Sequence, residues 1–191
     1  IWTGNATDDR AIVIDGTGMQ PDFVWIKSRN DTDNHRLVDS VRGATKHLES
    51  DGTGAEQTSS NVKTFTSTGV TLSTNGAVNA NSELYASWAW KKEAGVMDIV
   101  IYTGNGSNRT IAHNLGVKPA VMIHKGRSNT YNWGVYHHAL SPSNERSLNF
   151  NTTGAVNVDD GGVYYNSTDP TSSVFSLGTN VGYNANGATY V

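Results

Sequence analysis

The chain has 191 residues, 36% apolar and 16% charged, with 14 Lys and Arg against 17 Asp and Glu, a net charge of −3 and no cysteine. That apolar content suffices for a packed core, and the sparse, scattered basic residues exclude the electrostatic footprint of a non-specific nucleic-acid binder. The lack of cysteine removes disulfides, thiol nucleophiles and thiolate-held zinc together, and no apolar run approaches the length of a membrane span.

Short β-branched and aromatic runs bounded by Gly, Asn, Asp or Pro predict strands at 11–14, 23–28, 35–39, 64–66, 70–73 and 84–91. Phe23-Val24-Trp25-Ile26 is apolar on both faces, which predicts a central strand covered on two sides. Ser87-Trp88-Ala89-Trp90 alternates, which places both indoles on one face. Further strands are predicted at 97–102, 110–113, 120–125, 133–137, 163–165, 174–177 and 188–191, with Val121-Met122-Ile123 again reading as central. No segment shows sustained helical periodicity, so the class is all-β.

The chain also repeats itself. Ile1-Trp2-Thr3-Gly4-Asn5 returns as Ile101-Tyr102-Thr103-Gly104-Asn105, and the run from Gly18 to Lys27 returns as Gly116 to Lys125 around Pro21 and Pro119. Asn79-Ala80-Asn81 with Tyr85 returns as Asn184-Ala185-Asn186 with Tyr190. Order and spacing are both kept, giving two tandem units of about 95–100 residues, 1–95 and 96–191, each the size of a small domain or half of a larger one. The expected architecture is a jelly-roll-like β-sandwich. The second unit lacks a counterpart of Ser87-Trp88-Ala89-Trp90, and each end interrupts a predicted strand, so the chain reads as a fragment of a longer polypeptide.

Asn5, Asn30, Asn75, Asn105 and Asn180 sit in segments that read as turns, where Asn closes Asx turns and tolerates left-handed dihedrals. Several Asn-x-Ser/Thr triplets follow from a composition rich in Asn and Thr. Gly16-Thr17-Gly18 lacks the third Gly and the Lys-Ser/Thr ending of a phosphate loop and reads as a plain turn. His137 and His138 are neighbours on a predicted strand and should point to opposite faces, which argues against a shared metal. No nucleophile elbow and no repeated carboxylate pair is present, so the sequence predicts no enzyme.

Three acidic turn clusters, Asp8-Asp9, Asp31-Thr32-Asp33-Asn34 and Asp159-Asp160, offer oxygens to Ca²⁺ or are simply solvated. Asp31, Asp33 and Asn34 form the best calcium candidate because they alternate ligands within one loop, although the loop lacks the Gly and distal Glu of an EF-hand. Tyr131, Asn132 and Trp133 combine ring and amide at a loop-to-strand junction, the residue types of a glycan site, with Trp133 equally able to plug the core. Tyr164, Tyr165 and Tyr183 form a weaker aromatic group.

The pattern Tyr102-Thr103-Gly104-Asn105-Gly106, His113-Asn114-Leu115-Gly116-Val117-Lys118-Pro119, Asn132-Trp133-Gly134-Val135-Tyr136-His137 and Asn149-Phe150-Asn151-Thr152-Thr153 resembles repeats in tail-fibre and other virion structural proteins of marine bacteriophages, notably cyanophages. Gly18 to Arg29 with Asp39-Ser40-Val41-Arg42-Gly43-Ala44 resembles a sister version. The resemblance implies a lectin-like β-sandwich on a virion surface or otherwise extracellular, working in assembly and host contact, as a homo-oligomer (trimer or filament) or with other virion proteins. It brings no catalytic residue. Two alternatives stand beside it: a secreted carbohydrate-binding module or adhesin, and a subunit that builds head-to-tail filaments by strand exchange.

Overall fold

β-branched and aromatic side chains suit a pleated, half-buried surface, and the strands form where they cluster. The computed structural model describes residues 1–14, 18–159 and 161–191 and divides into two units, residues 1–52 with 56–92 and residues 93–191 with 53–55. Most of Gly16-Thr17-Gly18, and Asp160 of the last acidic pair, lie outside the described residues.

Unit 1 runs β1 (Trp2–Thr3), β2 (Arg10–Val13), β3 (Phe23–Ser28), β4 (Arg36–Asp39), β5 (Lys46–Leu48), β6 (Gln57–Thr58), β7 (Val62–Thr66), β8 (Gly69–Leu72), a single helical turn α1 (Gly76–Asn79) and β9 (Leu84–Trp90). Two antiparallel sheets result, one ordered β1-β9-β3-β4-β5-β6 and one ordered β2-β8-β7. Val24, Ile26 and Val38 of the first meet Val62, Val70 and Leu72 of the second, with Val78 and Tyr85 completing a core in which no member is more than 2% exposed. This is a two-layer all-β sandwich.

Unit 2 repeats the plan with β10 (Tyr102–Thr103), β11 (Arg109–Ala112), β12 (Val121–His124), β13 (Gly134–His137), β14 (Arg146–Asn149), β15 (Asn157–Val158), β16 (Val174–Leu177), a helical turn α2 (Val181–Asn184) and β17 (Thr189–Tyr190). The pairings β10 with β17, β11 with β16 and β12-β13-β14-β15 correspond to β1 with β9, β2 with β8 and β3-β4-β5-β6; unit 1 adds β3 with β9 and β7 with β8. Reciprocal backbone bonds between Lys125 and Val191, at 2.9 and 3.0 Å, carry the line of β17 alongside the end of β12. Its core is more aromatic: Tyr136, Tyr165, Phe175 and Tyr183 pack with Ile111 and Leu177.

The repeated sequence motifs turn out to build one device twice. Asn79 is fully buried; its Oδ1 accepts from the Asn5 backbone N–H (3.1 Å) and Arg10 Nη1 (2.9 Å), and its Nδ2 donates to Thr7 O (2.9 Å) and Ser73 O (3.0 Å). Asn184, also fully buried, accepts from Asn105 N–H (3.0 Å) and donates to Ser107 O (2.7 Å) and Gly178 O (2.8 Å). Asn75 and Asn180 cap the helical turns that present these amides. The Tyr85 and Tyr190 hydroxyls close the same turns, each accepting from the backbone N–H that follows the Asn and donating to the turn's first carbonyl. Trp2 stacks on Tyr85 at 5.5 Å and Tyr102 on Tyr190 at 5.1 Å. The chain crosses so closely that a Cβ on Gly4 would lie 1.8 Å from Ala80 O, and one on Gly104 2.3 Å from Ala185 O.

Several predicted elements are corrected. Residues 163–165 are not a strand but part of a turn closed by Asn166 N–H on Gly162 O, with Asn166 and Ser167 at positive φ. Of 97–102 only Tyr102 is in a strand; Met97 makes an isolated bridge to Glu93. Val121-Met122-Ile123 forms an edge strand rather than a central one, and Val121 and Ile123 are about half exposed. The unit boundary falls at 92/93, and residues 53–55 group with unit 2.

Replacing Asn79 or Asn184 by Ala leaves several buried backbone groups without partners, and each change should lower the stability of its own unit by about 3 kcal/mol in urea unfolding. A loss within about 0.5 kcal/mol would show that the amide is dispensable.

Candidate functional site

The β3 and β9 register sets Phe23 opposite Trp90 and Trp25 opposite Trp88. Because Val24 and Ile26 point into the core, strand alternation sends these four rings to the outer face. Phe23 and Trp90 stack at 5.3 Å, while Trp25 meets Trp88 edge-on at 6.2 Å and His35 edge-on at 5.6 Å. Trp25 Nε1 donates to His35 Nδ1 at 2.7 Å, which fixes the ring. Burial pushes the His35 pKa down, against the opposing charge of Asp51, so its imidazole is neutral near pH 7. Trp88 remains 51% exposed and Trp90 37%. The result is a row of planar rings held rigidly by their neighbours and half open to solvent, suited to stacking on a sugar ring or an apolar partner. Unit 2 carries Val121 and Ile123 at the positions of Phe23 and Trp25, so the row belongs to unit 1.

The predicted glycan residues separate. Tyr131 is 47% exposed and Asn132 is exposed, but Trp133 is only 4% exposed and offers no ring face to a sugar. Its backbone N–H donates to Asn151 Oδ1 (2.9 Å), and Asn151 Nδ2 donates to Asn132 Oδ1 (3.0 Å). Trp133 takes the core role. Tyr165 and Tyr183 are likewise buried, and burial pushes the Tyr183 hydroxyl up to about 12.

Of the predicted calcium residues, Asp31 bonds within its own loop and Asn34 reaches the segment after β5. Asp31 Oδ1 accepts from the Thr32 backbone N–H, Asp31 O accepts from Lys27 Nζ (3.0 Å), and Asn34 Nδ2 donates to Glu49 Oε2 (2.8 Å). Asp33 is half-buried in the same loop. Among the described residues no three His, Asp or Glu side chains are placed to hold a metal ion. Asp8 and Asp9 both pair with Lys63, at 2.9 and 2.6 Å, and Asp159 accepts from the backbone N–H groups of Gly161 and Tyr164. His137 and His138 do come together, their rings stacked at 5.1 Å, because β13 ends at His137 and the next residue turns back.

Two buried charges were not foreseen. Lys125, fully buried, donates to Thr53 O (3.1 Å), Gly126 O (3.0 Å) and Asn129 O (3.2 Å), and burial lowers its pKa to about 8. Its repeat counterpart Lys27 donates to Ser28 O and Asp31 O in the same way, so the conserved spacing of the two repeats was the available signal. Arg42 is buried between Asp39, Glu56 and the Leu37 carbonyl, and the run Asp39 to Gly43 is the turn that holds it. Both are tethers of loops.

Trp133→Ala should cost about 3 kcal/mol or more of stability, as a large core ring lost, whereas Trp88→Ala should change it by about 0.5 kcal/mol or less; chemical denaturation of both variants checks the assignment. Equal losses would place Trp88 in a packing role. Neither the curated proteins nor the solved structures provide a match to this chain. The model of one family, described as a domain of unknown function (DUF7483), matches residues 1–191, and the chain belongs to that family.

Proposed function

We propose that the chain is a non-catalytic contact module of an extracellular assembly, like the phage tail-fibre and virion repeats that its sequence resembles, and that it meets a surface glycan through the outer aromatic face of unit 1. The observation that carries this reading is the row Phe23, Trp25, Trp88 and Trp90, fixed in place yet with Trp88 half exposed. Rings prepaid in their conformation lose little entropy on binding, and their faces match the C–H surface of a pyranose. The clasp of Asn79 and Tyr85 and the buried Arg42 tether keep unit 1, which carries the platform, stiff.

The test is binding to a panel of cell-surface polysaccharides and oligosaccharides. The double variant Trp88→Ala/Trp90→Ala should lose tenfold or more in Kd, about 1.4 kcal/mol, while its urea midpoint stays close to that of the parent chain. Binding that survives the double variant, or no binding to any glycan of the panel, would overturn the reading.

A further inference from the structure

His124 occupies a position that unit 1 gives to an aliphatic side chain. In the repeat alignment its counterpart is Ile26, fully buried between the sheets. His124 is 4% exposed, and its ring lies among Tyr165 at 5.8 Å, Phe175 at 5.5 Å and Tyr183 at 5.2 Å. Its Nε2 is buried with no hydrogen-bond partner among the described residues. The elements around it contribute the Tyr165 hydroxyl from the turn at 162–167, the Tyr183 hydroxyl from α2 and the uncharged Phe175 ring from β16; directly across from it on β13 stands Gly134, which has no side chain. The Tyr183 hydroxyl is already engaged with Ser147. No carboxylate from the described residues is there to balance an imidazolium.

Unit 1 has a buried histidine too, and the contrast is informative. His47 is 3% exposed; its Nδ1 bonds Ser59 Oγ at 2.9 Å, and its Nε2, which like that of His124 has no hydrogen-bond partner among the described residues, lies 3.8 Å from Glu49 Oε1. Burial and the Arg36 cation push its pKa down and Glu49 pushes it back up, so a proton on His47 has a carboxylate that offsets part of the cost, while one on His124 finds only rings and hydroxyls. A cation placed in such a cage must be desolvated without compensation, and the chain's alternative is to open and hydrate it.

We propose that His124 is an acid trigger built into unit 2: its protonation opens the aromatic core of that unit while unit 1 stays folded. Burial alone holds the folded group near 4 against an ordinary value of 6.5. Between those values the unfolded form binds the proton and the folded form does not, so stability falls as pH drops from about 6.5 to about 4 and levels off below.

Amide hydrogen exchange on the whole chain, expressed as protection factors, reads both units at once. Protection of Ile111, Tyr136 and Leu177 should fall by about tenfold per pH unit between about pH 6 and 4, and that of Val24, Ile26 and Leu72 by clearly less. His124→Ile, which installs the residue unit 1 carries, should remove the pH dependence of unit 2. Should that variant fail to fold, His124→Gln supplies a neutral polar replacement with the same expected outcome. Direct observation of the His124 ring by NMR should show no titration above pH 5 in the native chain. Unit 2 protection that is flat with pH, variants as acid-sensitive as the parent, or a His124 ring that titrates near 6.5 would each overturn the proposal.

Discussion

A primary amide sealed from water has four hydrogen-bonding positions to satisfy, and a backbone that satisfies all of them has little freedom left. Asn79 fills all four positions in unit 1, and Asn184 fills three in unit 2. Each draws together the loop after the first strand, the segment before the helical turn and the turn itself. The tyrosine six residues on, Tyr85 or Tyr190, completes the clasp and leads directly into the strand that closes the sheet. The tandem repeat is strongest at these residues because their geometry tolerates no substitute: Gly4 and Gly104 have no room for a Cβ, and both N–H groups of each amide and at least one acceptor position of its oxygen are in use.

Around matching clasps, which differ in the Arg10 hydrogen bond to Asn79, the two units have diverged where burial leaves a choice. The strand pair β3 and β9 carries aromatics outward in unit 1, and β12 carries Val and Ile at the matching positions. Inside, Ile26 is answered by His124, and an aliphatic core by one built from tyrosines. Aromatic rings fill volume as well as aliphatic chains do, but they bring hydroxyls and an imidazole that need partners. Under the two proposals above, unit 1 supplies the contact face and unit 2 the acid-sensitive interior.

Buried polar contacts fasten the loops in each unit. Lys125 on three carbonyls, Lys27 on two, and Arg42 between two carboxylates and a carbonyl each replace what a longer strand would otherwise supply. Breaking one side of such a pairing strands a charge in the interior, which makes these tethers costly to lose and effective at holding a loop in one place.

From the sequence alone came the all-β class, the two-unit repeat, strands 23–28 and 174–177 to the residue, and the common face of Trp88 and Trp90, because these depend on local periodicity and on identity between distant segments. The turn role of Asn5, Asn75, Asn105 and Asn180 was also legible, since an Asx turn is made within a few residues. Short strands such as β5, β14 and β15 carry too few residues to show a period, and the turn at 163–165 contains the same Val and Tyr that would make a strand elsewhere. Which aromatic is a plug and which a platform was decided only by tertiary structure: Trp133 and Trp88 look alike in sequence, but one is buried just before β13 and the other faces solvent across from Trp25. The same holds for Asn79, Lys125 and His124, whose partners lie in segments far along the chain or in rings that only packing assembles, so that burial, the quantity that sets their chemistry, exists only once the sheets have closed.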